Sequence, residues 1–249
     1  MIQKIVKRIT TFLFLILLIN GFKMVSYALD DVMSVTEKND VNVKCDNLAF
    51  FKDDILKNSD LNIITKFMTK NDCYNTQKSI KVKGIMIHST ATPGVMADQW
   101  YDWWNKSYKN GETNREVCVH AFLDDKKVCQ YLPWNHRAWH CGGKANNTHI
   151  SFEICEPEGI IYSEDWSKIC SIDIEGTRAY FDKVWENSVK LCVMLCKQFN
   201  LTEENIICHC EGHDLGIASD HKDVMHWWKY YGKDMDMFRE DVKKALNDK

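Results

Sequence analysis

Two short stretches carry the residue types from which hydrolytic chemistry is built. GIMIHST, residues 84–90, is an apolar run that delivers His88 and two hydroxyls at its tip. CHCEGHDLGIASDHKDVMHWW, residues 208–228, interleaves His209, His213, His221 and His226 with Asp214, Asp220 and Asp223. Zinc takes imidazole nitrogen and carboxylate oxygen readily, and a catalytic zinc uses three such ligands and keeps a fourth position open. A histidine taken singly is more often a solvated or hydrogen-bonded ring. Two histidines at strand ends, with carboxylates close behind, favour a metal site. If the strands bearing His88 and His209 are neighbours, their rings converge at one edge of a sheet. A loop carboxylate fourteen residues after His209 could then close the triangle. Spacing alone does not select the three ligands.

The elements that must hold these residues follow from periodicity. KVKGIMIH reads as a strand and ADQWYDWWNKSY as a helix. CVHAFLDDKKVCQYL reads as a hairpin turning at Asp125 and Lys126. THISFEICEP is a further strand closed by Pro157, residues 178–199 a long helix, and NIICHC another strand with His209 opposite Cys208 and Cys210. MDMFREDVKKAL forms a closing helix with Asp234 as its N-cap. Strands alternating with helices predict an α/β domain around a central sheet. In ISFEICEP, alternation sends Ile150, Phe152 and Ile154 one way and Ser151, Glu153 and Cys155 the other. Glu153 then emerges toward the site, against the plainer alternative of a surface salt bridge. Helical spacing in WYDWW puts Trp100 and Trp104 on one packed side, leaving Trp103 as a candidate groove contact.

The chain of 249 residues carries 32 basic and 35 acidic side chains, a net charge of -3. Lys4, Lys7 and Arg8 precede the apolar TTFLFLILLINGF, and SYA at 26–28 offers small residues for cleavage, so residues 1–28 read as a signal peptide. An uncleaved anchor is the alternative, and that segment is the only expected membrane contact. Its loss removes Lys4, Lys7, Arg8 and Lys23 and no acid, leaving a net charge of -7 on the exported part. Nucleic-acid binders need a basic face, so nucleic acid is not an expected partner. Residues 29–66 form a polar extension with one amphipathic patch, read as a short helix or two. The eleven cysteines fit no tidy disulfide framework. Cys192 and Cys196 share a helix face, and most of the set is expected in the core, with one or two bridges at most.

IMIHSTATPG, the HAF hairpin with QYLPWNHRAWHCGG, THISFEICEPEG and CHCEGHDLGIASDHKDVMHWW together resemble the N-acetylmuramoyl-L-alanine amidases that share a fold with peptidoglycan recognition proteins. The resemblance spans residues 67–245, in the family's order. It implies a single α/β domain with a central mixed sheet flanked by helices. It also implies a Zn2+ cofactor held by His88, His209 and Asp223, and a catalytic Glu153. Trp139 and His140 fall in the family's groove-lining segment. The implied substrate is peptidoglycan, glycan strand and stem peptide, cut between N-acetylmuramic acid and L-alanine by a secreted or cell-wall-associated enzyme. Two positions depart from relatives: Val119 stands where some have Tyr, and His221 where others have Lys. If His221 takes over that oxyanion role, activity should fall at high pH as its proton is lost. A non-catalytic peptidoglycan-binding protein of the same fold and a disulfide-rich structural protein are the competing readings.

Overall fold

A computed structural model describes residues 48–248. The proposed signal peptide, most of the polar extension and Cys45 lie outside the described residues. Eight strands are present: β1 Ile63–Thr65, β2 Gly84–Ser89, β3 Ala121–Leu123, β4 Val128–Gln130, β5 His149–Ile154, β6 Ile160–Tyr162, β7 Ile169–Ile172 and β8 Ile206–Cys208. The α-helices are α1 Asp53–Lys57, α2 Asp72–Asn75, α3 Trp100–Trp104, α4 Ile174–Phe199, α5 His209–Asp214, α6 Met225–Trp228 and α7 Met235–Asn247. Six strands form one mixed sheet in the order β1-β4-β3-β5-β2-β8, and β6 pairs with β7 as a separate hairpin. Only β3 and β4 run antiparallel in the large sheet. Their connection turns at the expected Asp125 and Lys126.

The sheet is apolar on the face that meets α4. Ile85 and Ile87 of β2 and Ile150, Phe152 and Ile154 of β5 pack there against Phe181, Val184, Leu191 and Leu195. The alternation expected for β5 is therefore present, with Cys155 in a second cluster on the other side. Asp173 caps α4 by accepting from the Gly176 N–H, and Asn200 ends it in the left-handed conformation. Asp234 caps α7 in the same way through the Met237 N–H.

One local expectation is corrected, and two elements were not anticipated. The compact unit of the described residues runs from Leu48. Phe51 and Ile55 join the main core, and Ile63–Thr65 pairs with β4 at the sheet edge. The strand NIICHC stops at Cys208, and His209 opens α5 instead of ending a strand. Glu211, by accepting from the Cys208 N–H at 3.0 Å, starts that helix early. The hairpin β6–β7 carries weak periodicity and was not expected from the sequence.

All ten described cysteines are free, and eight are buried, Cys192 and Cys196 among them. They behave as small apolar side chains. Among the described residues no helix is long and apolar enough to cross a membrane.

Candidate active site

Strand register assembles the site. In the parallel pair β2–β5, His88 lies directly opposite Glu153, so both project from the same face, away from α4. On the other side of β2, Ile87 pairs with Cys208, which brings His209 beside His88. All three therefore stand at the carboxyl ends of parallel strands, the rim where ligands bind in open α/β sheets. Asp223 arrives from the loop between α5 and α6.

The result is a tight triangle. His88 Nδ1 is 3.0 Å from Asp223 Oδ2 and 3.1 Å from His209 Nδ1, and His209 Nδ1 is 3.5 Å from Asp223 Oδ1. His88 and His209 are 2% exposed and Asp223 9%. A tetrahedral ion with bonds of about 2.0–2.1 Å spaces its ligand atoms by about 3.3 Å, and the observed triangle matches that edge. Three acceptor-capable atoms this close are held together either by shared protons or by a cation between them. The outer nitrogens are served as ligand histidines require. His140 Nδ1 lies 2.9 Å from His88 Nε2, placed to accept its proton. Ser219 Oγ lies 3.3 Å from His209 Nε2 and donates to the Cys141 carbonyl at 3.0 Å, so it is free to accept. The donor set therefore fits a divalent metal such as zinc.

Electrostatics agree with this geometry. Burial is the largest influence on His88 and pushes its pKa down, favouring the neutral ring that binds metal. Burial alone would raise the Asp223 carboxyl, but hydrogen bonds to His209 and His88 hold it well below the usual carboxylate range. Burial, reinforced by the negative charges of Asp223 and Glu156, drives the Glu153 carboxyl well above its ordinary range. Glu153 Oε2 is buried without a hydrogen-bond partner in the protein.

The triangle opens on a cavity of about 740 Å³ lined by Glu153, His140, Trp103, Tyr162, Trp166 and His221, among others. Trp103 is 53% exposed there, whereas Trp100 is buried. His221 is exposed, and its ring stacks on that of His209 with centroids 4.5 Å apart. Trp139 is not part of the cavity wall. It packs instead beside Cys73, Cys118, Leu132 and Ala138, under the Arg137 guanidinium 5.6 Å away. His140 does line the cavity but also braces His88. His120, buried behind the site, bonds Ser151 and His136.

Sequence reasoning missed the braces Ser219 and Glu156. Glu156 is fully buried and accepts from Ser89 Oγ at 2.8 Å and from Tyr162 Oη at 2.7 Å. His226 Nε2 lies 3.0 Å from the same carboxylate. No local signal separates this glutamate from a surface one, because all of its side-chain partners are tertiary.

Residues 78–225 match the family described as N-acetylmuramoyl-L-alanine amidase. The chain belongs to that family. It is 29% identical over 140 residues to the N-acetylmuramoyl-L-alanine amidase CwlL of Bacillus licheniformis, covering 51% of this chain and 33% of that one. It is 36% identical over 75 residues to XlyA of Bacillus subtilis (strain 168), covering 29% and 24%. The chain thus spans only about a third of CwlL and a quarter of XlyA. In fold it is similar to the catalytic domain of XlyA, with TM-score 0.53 at 21% identity over 73% of this chain and 99% of that one. The Staphylococcus aureus hydrolase AmiA, solved with its ligand, gives TM-score 0.54 at 16% identity over 78% and 88%. These likenesses establish the amidase fold, a central mixed sheet with flanking helices.

Proposed function

We propose that this chain is a zinc-dependent hydrolase of peptidoglycan that cleaves the amide between N-acetylmuramic acid and L-alanine, acting after export or at the cell wall. The observation that carries the proposal is the buried triangle of His88, His209 and Asp223, with Glu153 one strand away in direct register. Family membership supports the same chemistry.

When bound, zinc would supply a Lewis acid that activates water and polarises the scissile carbonyl. The chain's own residues do the rest. His88, His209 and Asp223 hold the metal, oriented by His140 and Ser219. Glu153, its carboxyl raised by burial, is suited to take a proton from water and return it to the leaving amine. His221, exposed beside His209, is placed to donate to the oxyanion developing on the carbonyl, a contact worth roughly 3 kcal/mol in comparable sites. Trp103 offers an aromatic face to the substrate. Trp139, set back from the cavity, supports the fold of its segment instead.

The test is incubation of the protein with purified muropeptides, with and without a chelator, followed by mass spectrometry. Release of free stem peptide that stops on chelation and returns with zinc is the expected result. Binding of intact muropeptide without any release would favour the non-catalytic alternative.

A further inference from the structure

The hairpin β6–β7 has no part in the chemistry above, yet it forms one wall of the same cavity through Tyr162, Trp166, Ser167 and Lys168. At its tip Trp166 is 59% exposed, the indole presented to solvent. The tip is firmly built. Asp165 Oδ1 accepts from Ser163 Oγ at 2.6 Å, from Ser167 Oγ at 2.8 Å and from the Ser167 N–H at 3.1 Å. The Trp166 N–H donates to the Ser163 carbonyl, and Trp166 itself sits at φ 59°. A bulky residue in the left-handed region is an outlier that persists only where its surroundings fix it, and such outliers cluster at ligand clamps.

Behind the indole stands Tyr162, stacked at 5.2 Å between centroids and 28° between planes. Tyr162 is tied in turn to the catalytic floor. Its hydroxyl donates to the buried Glu156, and His226 Nε2 lies 2.8 Å from its oxygen. Glu156 also holds Ser89, next to His88, while His226 lies three residues beyond Asp223. The platform is thus braced by the same segments that carry two of the three metal-ligating candidates. A flat, rigid aromatic surface with hydroxyl and ammonium neighbours suits a ligand with an apolar C–H face and a polar rim. A pyranose ring is such a ligand, because its axial C–H groups meet the negative face of the indole.

We infer that the hairpin is a saccharide-binding wall, with Trp166 stacked on Tyr162 as the platform for the glycan strand on the sugar side of the scissile amide. This rests on the proposed amidase function. The probe is a peptide-free tetrasaccharide of alternating N-acetylglucosamine and N-acetylmuramic acid, titrated calorimetrically into wild type, Trp166→Ala and Trp166→Phe. Steady-state kinetics on glycan-chain substrate and on monomeric muramoyl peptide accompany it. Trp166→Ala should weaken tetrasaccharide binding about tenfold and raise KM on the glycan-chain substrate with kcat within about twofold of wild type. Trp166→Phe should recover binding to within about threefold, since a smaller ring still stacks. Wild type that does not bind the tetrasaccharide, Trp166→Ala that binds as well as wild type, or Trp166→Phe no better than Trp166→Ala each overturns the inference. In all three cases cleavage of the monomer would leave the amidase function standing. Trp166-dependent binding by a protein that releases no peptide would support the wall and sink the hydrolase.

Discussion

Glu153→Gln separates catalysis from stability in one substitution. The carboxyl is held above its ordinary range by burial and by the charges of Asp223 and Glu156, and Oε2 has no protein partner. A raised carboxyl pKa means that the folded state holds its proton longer than the unfolded chain does. Its contribution to stability is then full below the unfolded value of 4.5 and is lost as pH climbs through the folded value. Each pH unit by which the two values differ is worth about 1.4 kcal/mol. Glutamine has the same shape and no charge, so the zinc-free variant should match wild type near pH 4 and surpass it as pH rises to 8. Turnover should move the opposite way. A general base contributes about 10²–10⁴ in rate, equivalent to about 3–5 kcal/mol of barrier. Urea denaturation of chelator-treated protein across that pH range reads the first effect, and muropeptide release with zinc restored reads the second. Zinc content after dialysis should stay equal to wild type, because Glu153 is outside the triangle. A variant that keeps more than a tenth of the activity, loses its zinc, or becomes less stable at pH 8 would refute this account of Glu153.

Four further outcomes follow from the same geometry. Ser219→Ala removes the partner of His209 Nε2 and should weaken zinc binding about 10–100-fold, as read by competition with a chromogenic chelator. Gly143→Ala drives a Cβ into the Ile217 carbonyl and the Ala218 backbone. It should cost roughly 1–3 kcal/mol of stability and loosen zinc by shifting the Ser219 loop, whereas an unchanged urea midpoint would contradict the packing. His120 is pushed from 6.5 down to about 4 by burial, its Nδ1 accepting the Ser151 N–H and its Nε2–H donating to the His136 carbonyl. The folded state therefore binds fewer protons than the unfolded chain between pH 6.5 and 4, and about 3 kcal/mol of stability should vanish as pH falls through that window. His221→Ala should slow muropeptide release about 10²-fold with zinc content unchanged, since it removes the proposed oxyanion donor. Unchanged turnover would remove His221 from the oxyanion role.

The sequence by itself determined most of the main elements and the pool of candidate ligands, but not β1, the β6–β7 hairpin or the helical start at His209. Alternation in ISFEICEP assigned Glu153 to the face opposite Ile150, Phe152 and Ile154, because a strand's period of two leaves no other choice. The apolar run ending in His88, the cap at Asp234 and the shared face of Cys192 and Cys196 are local patterns of the same kind. What tertiary structure alone decided is which strands are neighbours and in what register. Placing His88 opposite Glu153, with His209 alongside, depends on the order β5-β2-β8, which joins segments far apart in the chain. The choice of Asp223 from several nearby carboxylates was made by that packing. The burial of Glu156, the withdrawal of Trp139 from the cavity and the pinned Trp166 tip also come from contacts between distant segments, whose energies leave no periodic trace in the chain.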